Sequence, residues 1–294
     1  MTACFVIERH DEESNTPSRR HISDEQYRQL SIASSVVGAL WYFEESYDIL
    51  LQNAIEFQTA VARLEANSRV NISSFPDDAD LEIRQLNRLL TNFLSSCKSF
   101  VDTTKARFSS AGEALPGGQA KLECLFSEQF DASFSYRLMD ALRNVTQHRG
   151  SAIEQTLTMI KTVYSRNDTE VRVLSVAPQI MRQPLLDDKR VRSETRKQIA
   201  EQADEVIDLT PHISEYVRCF GAVVLKAREL FDCELRAALE TFQIIFGDDI
   251  KREWAFLSVT DTSPTDRQQT LFVHEYELRR LERIRLRNYA RDLS

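Results

Sequence analysis

Leu86-Asn87-Arg88-Leu89-Leu90-Thr91-Asn92-Phe93-Leu94-Ser95-Ser96-Cys97-Lys98-Ser99-Phe100-Val101 is the stretch on which the fold turns. Its apolar residues recur every three or four positions, so in a helix of about 3.6 residues per turn they share one face. The stripe is close to a coiled-coil seam, and a helix that carries one must bury it against another helix. The partner lies upstream. Ser23-Asp24-Glu25-Gln26 has the form of a capping box with acids in the first turn. Val36, Leu40, Phe43, Tyr47, Leu50, Leu51 and Ile55 follow at helical spacing, which predicts a long helix reaching about residue 67. With residues 71–80 read as a loop, the two long helices pack antiparallel.

Leu115-Pro116-Gly117-Gly118 ends the second helix, and a third helical region is expected from about Ala120 to Arg149, kinked near Ser127. In it Phe126, Phe130, Phe134, Leu138 and Leu142 step by four, with Met139 and Val145 beside them, and Gly150 reads as the residue just past the helix end. Three such stripes make a helical bundle. The pattern then changes. Leu157–Tyr164 and Val171–Val176 are rich in β-formers and flank Ser165-Arg166-Asn167-Asp168, so a β-hairpin is expected. Pro178 and Pro184 mark a connection, and residues 189–206 read as a polar helix. Thr210-Pro211 reads as an N-cap with proline in the first turn of a helix. Ile213, Val217, Phe220, Val224, Phe231, Leu235, Leu239 and Phe242 carry that helix to Gly247. Residues 254–259 and 269–274 read as strands around Thr262-Ser263-Pro264, before a charged final helix at 275–292. The organisation expected is a loosely ordered N-terminus at 1–22, a helical core at 23–150, and β-hairpins with long helices at 151–294 packing on that core.

Composition narrows the function classes. A formal charge of −8 excludes attraction of the whole molecule to nucleic acid, so any such contact must come from local basic patches. The five cysteines, at 4, 97, 124, 219 and 233, lack metal-knuckle spacing and read as reduced, mostly buried thiols. No apolar run reaches the ~18 residues of a membrane helix. The N-terminus runs into His10-Asp11-Glu12-Glu13 without the apolar core of a signal peptide. A soluble, cytoplasmic protein is therefore expected, with no membrane partner. Phosphate loops, dinucleotide loops, zinc-protease motifs and nucleophile elbows are absent from the sequence, and no His, Cys, Asp or Glu group has ligand spacing. No cofactor and no metal are expected.

One constellation could carry chemistry. Arg143-Asn144-Val145-Thr146-Gln147-His148 closes the third helical pattern. Five positions set Arg143 and His148 about 140° apart around a regular helix, while Asn144 and His148 share a face. Asp140 lies one turn before both Arg143 and Asn144 and can orient either, and Gln147 adjoins the histidine. A histidine at a helix C-terminus has its charged form favoured by the helix dipole, which suits a group that must give and take a proton. The arginine can hold negative charge on a phosphate. The plain reading of the same six residues is a solvated helix end. Two basic patches could hold phosphates: Lys189, Arg190 and Arg192 with Arg196 and Lys197, and Arg279, Arg280, Arg283, Arg285, Arg287 and Arg291. Their plain reading is a solvated face, paired in the second patch with Glu277 and Glu282. Arg267 and His274 have a similar spacing but fall on a strand-like segment, and read as coincidence.

The stretch Tyr136-Arg137-Leu138-Met139-Asp140-Ala141-Leu142-Arg143-Asn144-Val145-Thr146-Gln147-His148-Arg149-Gly150 resembles the signature of HEPN-domain proteins. It is similar in particular to the abortive-infection type, which reads roughly apolar-Leu-Arg-Asn-Tyr-x-Gln-His. Val145 stands where that pattern is commonly aromatic. The resemblance implies a mainly α fold, a HEPN-like helical bundle with an added small β-hairpin and helical region. It also implies a metal-independent endoribonuclease in phage defence, or a toxin, working as a homodimer with two motifs facing one cleft. By the resemblance Arg143 stabilises phosphate charge, Asn144 is its polar companion and His148 is the acid and base. RNA is the implied substrate, and an antitoxin or a non-coding RNA the implied regulator. Some relatives carry a tyrosine two residues after the histidine that a partner enzyme modifies. Here that position is Gly150, which removes that mode of control. The alternatives are a catalytically silent helical module that binds RNA or protein, and a purely structural scaffold.

Overall fold

A computed structural model describes residues 5–10, 18–70, 76–164, 170–202, 204–247, 256–261 and 270–288. The chain is mainly helical. Two long helices, α1 (Asp24–Val70) and α2 (Pro76–Ser110), pack along one another and are followed by α3 (Gly118–Ala132) and α4 (Phe134–Arg149). The capping box forms as the sequence reads: the Ser23 hydroxyl accepts from the Gln26 amide at 3.2 Å and the Gln26 side chain accepts from the Ser23 amide at 2.9 Å. The seam of α2 is buried from Leu86 to Phe100, with Val101 partly so, and α1 buries Val36, Leu40, Phe43, Tyr47 and Leu50 against it. Ile55 departs from its stripe and is 52% exposed. The loop expected at 71–80 is shorter, because the aspartates after Pro76 already belong to α2; residues 71–75 lie outside the described residues.

The third helical region is two helices, and the break is at Ser133 rather than near Ser127. Ser133 is extended at φ −112° and ψ 118°, and its hydroxyl caps the Tyr136 amide at 3.2 Å. A serine in that conformation supplies the acceptor that a new first turn needs. Downstream, β3 (Ile153–Tyr164) and β4 (Glu170–Met181) form the expected hairpin, extended by β5 (Val206–Asp208); the turn at 165–169 lies outside the described residues.

The polar helix expected over 189–206 is much shorter. A short α5 (Gln183–Asp187) precedes it, and the segment itself holds only α6 (Ser193–Ala200) before β5 begins. The buried Asp188 accepts the Arg190 amide at 3.0 Å and stops a continuous helix there. The next helix, α7 (Leu209–Leu230), is capped by Asp208, whose carboxylate takes the Thr210 amide at 2.8 Å, so Thr210 is not the cap. It breaks at Phe231 before α8 (Asp232–Phe246), on which Leu239 is exposed.

The N-terminal segment, expected to be loosely ordered, contributes two strands, β1 (Phe5–His10) and β2 (Ser18–Ile22). They join β6 (Phe256–Asp261) and β7 (Thr270–His274) in one antiparallel sheet of order β2-β1-β6-β7. The partner of β1 lies some 250 residues away, so no local pattern announces it. Trp254 and the turn through Pro264 lie outside the described residues. The chain closes with α9 (Glu275–Arg287), packed on α1.

One hydrophobic core runs from Ile22 to Leu281, through Phe43, Phe57, Phe93, Phe100, Phe220 and Phe242. Cys97 and Cys219 are buried in it, whereas Cys124 and Cys233 are exposed, contrary to the reading of mostly buried thiols; all four are free thiols. Gly118 is required where α3 begins. A Cβ there would stand 3.0 Å from Phe108 and 3.6 Å from Phe231, two rings that meet at 5.0 Å. Among the described residues no helix is long and apolar enough to cross a membrane.

Candidate functional site

The site is the outer edge of α4. Its inner face, Leu138, Met139, Ala141, Leu142 and Val145, is buried in the core, so the residues between point to the edge. Asp140, Arg143 and Asn144 are half-buried, and Gln147 and His148 are exposed on the last turn. Arg143 Nη1 donates to Asn144 Oδ1 at 3.2 Å. Its Nε is buried and has no hydrogen-bond partner among the described residues. Thr146 is buried and its hydroxyl donates to the Arg143 carbonyl at 2.9 Å. The helix ends at Gly150, whose φ of 87° is a left-handed value that glycine adopts without strain and whose amide reaches the Thr146 carbonyl at 3.0 Å.

What fixes this end is a residue that sequence reading passed over. Asn87 sits in the α2 seam between Leu86 and Leu90, and it is buried. Its Oδ1 accepts the amides of Ala152 and Ile153, both at 2.8 Å. Its Nδ2 donates to the Ile153 carbonyl at 2.8 Å and to the Ile83 carbonyl at 3.0 Å. Two acceptor sites and two donors are thereby all used. The chain leaving α4 is pinned to α2 four residues after His148. The only sequence signal was a polar residue inside an apolar stripe.

Asp140 is the electrostatic centre of the edge. Burial pushes its carboxyl above the ordinary aspartate range; Lys98 of α2, Arg192 at the start of α6 and Arg143 pull the other way, and Asp102 adds to the rise. Arg192 is exposed and lies over the Phe130 ring at 4.3 Å. The neighbouring Arg190 chelates the buried Asp188 at 2.9 and 2.7 Å, and Lys189 is exposed.

The second basic patch is placed differently. Arg280 of α9 pairs with Glu45 at 3.2 Å and lies 5.2 Å from the Trp41 ring, Arg285 reaches Glu44 at 2.9 Å, and Arg287 pairs with Asp48. These described partners are carboxylates of α1, because α9 lies along α1 with Leu281 and Ile284 buried between them; the Glu277 side chain, which the sequence suggested as a partner, lies outside the described residues. Arg228 of α7 completes the group with a two-pronged contact to Glu44 at 2.9 and 2.7 Å, and the Glu44 side chain is 0% exposed. Arg283 is exposed and Arg279 half-buried. Arg267, Arg291 and the His274 side chain lie outside the described residues.

His212 meets Ser135 on the first turn of α4, Nδ1 to Oγ at 2.9 Å, and Phe134 edge-on. Burial holds its pKa below the ordinary histidine range. The Asp208 carboxylate is used on the Thr210 amide, so the pair acts as a tether between α4 and α7. Among the described residues no group of three or more His, Cys, Asp or Glu could hold a metal ion. Comparison of the chain with known protein families, with curated proteins and with solved structures gives no match.

Proposed function

We propose that this chain is a metal-independent endoribonuclease with a HEPN-like helical bundle, acting in the cytoplasm as a toxin or in abortive-infection defence. The observation that carries the reading is the α4 edge. Arg143 is half-buried and steadied by Asn144, His148 stands exposed on the last turn, and the exit from the helix is clamped by Asn87. In the proposed reaction the ribose 2′-oxygen attacks the adjacent phosphorus and the bond to the 5′-oxygen breaks. The 2′-hydroxyl proton passes to a base and a proton is returned to the 5′-oxygen, leaving a 2′,3′-cyclic phosphate and a 5′-hydroxyl. His148 moves the proton and Arg143 holds the developing charge. One chain offers one such histidine, so a second copy facing the first supplies the other.

The test pairs an RNA cleavage assay in EDTA with a thermal melt. His148→Ala and Arg143→Ala should each lower cleavage at least about 100-fold, the range for a general acid–base group or a charge-stabilising donor. Asn144→Ala should cause a partial loss. His148 is exposed, so its variant should melt within about 0.5 kcal/mol of the parent. A His148→Ala protein that melts like the parent and cuts at the parent rate would refute the reading, and a silent RNA- or protein-binding module would replace it. Activity lost in EDTA and restored by Mg²⁺ would refute it equally.

A further inference from the structure

The two basic patches are unequal. On α9, Arg280, Arg285 and Arg287 pair with carboxylates of α1, one of which, Glu44, is fully buried. Beside α4 the situation differs. Among the described residues Lys98 pairs only with Asp102, at 2.8 Å on its own helix, and both side chains are open to solvent at 41% and 56%. Exposed pairs of this i,i+4 kind are weak, so an incoming anion can compete for the lysine. Arg192 is exposed and rests on the Phe130 ring, a stacked platform that orients a guanidinium without using its hydrogen-bond donors. Arg143 has a buried Nε with no hydrogen-bond partner among the described residues. Packing of α4 against α2 and α6 brings these three cations from three separate elements around one carboxylate, Asp140.

We propose that Lys98 and Arg192 form a seat for the RNA phosphate neighbouring the one that Arg143 holds, and that Asp140 weakens this seat and so discriminates against loosely held RNA. The proposal rests on the ribonuclease reading for the identity of its ligand. It makes Lys98 and Arg192 positioning residues: they fix the strand over α4 and touch no reacting atom. The strand then crosses the α4–α6 side of the bundle and not α9.

The experiment measures binding apart from cleavage. In the full-length His148→Ala protein, a fluorescein-labelled single-stranded RNA of twelve nucleotides is titrated by anisotropy between 50 and 300 mM NaCl. Lys98→Ala and Arg192→Ala should each weaken binding about 5- to 10-fold at low salt, and each should reduce the slope of log K against log salt by about 0.7, the value for one lost phosphate contact on a single strand. Lys98→Arg should restore binding. Asp140→Asn should tighten it several-fold, which a merely structural role for the carboxylate would not do. Arg280→Ala should leave it unchanged. Thermal melts accompany every variant. Unchanged affinity and slope in Lys98→Ala and Arg192→Ala overturn the seat, even if the parent protein cleaves RNA and the nuclease reading stands. Loss in Arg280→Ala alone moves the strand to α9 and overturns it too. No binding of RNA by the His148→Ala protein overturns it as well. If binding depends on Lys98 and Arg192 while the parent cuts nothing, the seat stands and the nuclease reading falls.

Discussion

Asn87 and Asp140 show how much a single side chain decides on this edge. Asn87→Ala would leave two buried amides and a buried carbonyl without their partner. Each unsatisfied buried group costs about 1–3 kcal/mol, so for three groups we expect a loss of roughly 3 kcal/mol or more in a urea melt. Cleavage should also fall, because the segment after His148 is no longer held. Asp140 acts in the opposite direction. Burial raises its carboxyl, so the folded chain binds that proton more tightly than the unfolded chain does. The stability linked to this group is full at pH below the ordinary aspartate range and is lost as pH rises through the raised value. Asp140→Asn, which carries no charge to desolvate, should raise the melting temperature at pH 8 and change it little at pH 4. Equal shifts at both pH values would contradict this. At this scale the sequence could place Arg143, Asn144, Asp140 and His148 together, since they stand close on one helix. It could not disclose Asn87 or Lys98, whose roles depend on α2 lying beside α4.

Among the elements, α1 and α9 meet through charge as much as through apolar contact. Glu44 is fully buried beneath Arg228 and Arg285, and Asn288 bonds Asp48 at 2.8 Å. Glu44→Ala would strand two largely buried guanidinium groups. Breaking a buried ion pair by removing one partner costs about 3–5 kcal/mol, and we expect a drop of that size by calorimetry. Removing an exposed pair such as Arg28–Glu25 should by contrast change the melt little. Periodicity revealed the helices α1, α2 and α4 and the β3–β4 hairpin, because their stripes are long and their caps are standard. It failed at the joints. The break at Phe231 carries no glycine or proline, and Phe231 itself belongs to the apolar stripe. The break at Ser133 lay inside a run of phenylalanines stepping by four. At Ser133 the signal was a single capping serine, outweighed by the phenylalanine spacing around it.

For the whole molecule, the proposed chemistry requires two copies. One His148 per chain and general acid and base roles to share predict a two-fold dimer with the α4 edges facing. Light scattering should give twice the chain mass of 33.9 kDa at assay concentration. A monomer with intact cleavage would overturn that arrangement. The architecture also has a consequence in time. The sheet β2-β1-β6-β7 joins residues near the start of the chain to residues beyond 255, and Glu44 meets cations that arrive only at 228 and 285. A ribosome adds roughly 5–20 residues per second. The first strand pairs with β2 early but waits about 10–50 s for β6 on its other edge, and α1 carries an uncompensated carboxylate for nearly as long. Helices α1 to α4 can meet during that interval, so the nascent chain passes through a stage with a partial bundle and an open strand edge, the state in which a chaperone is most needed.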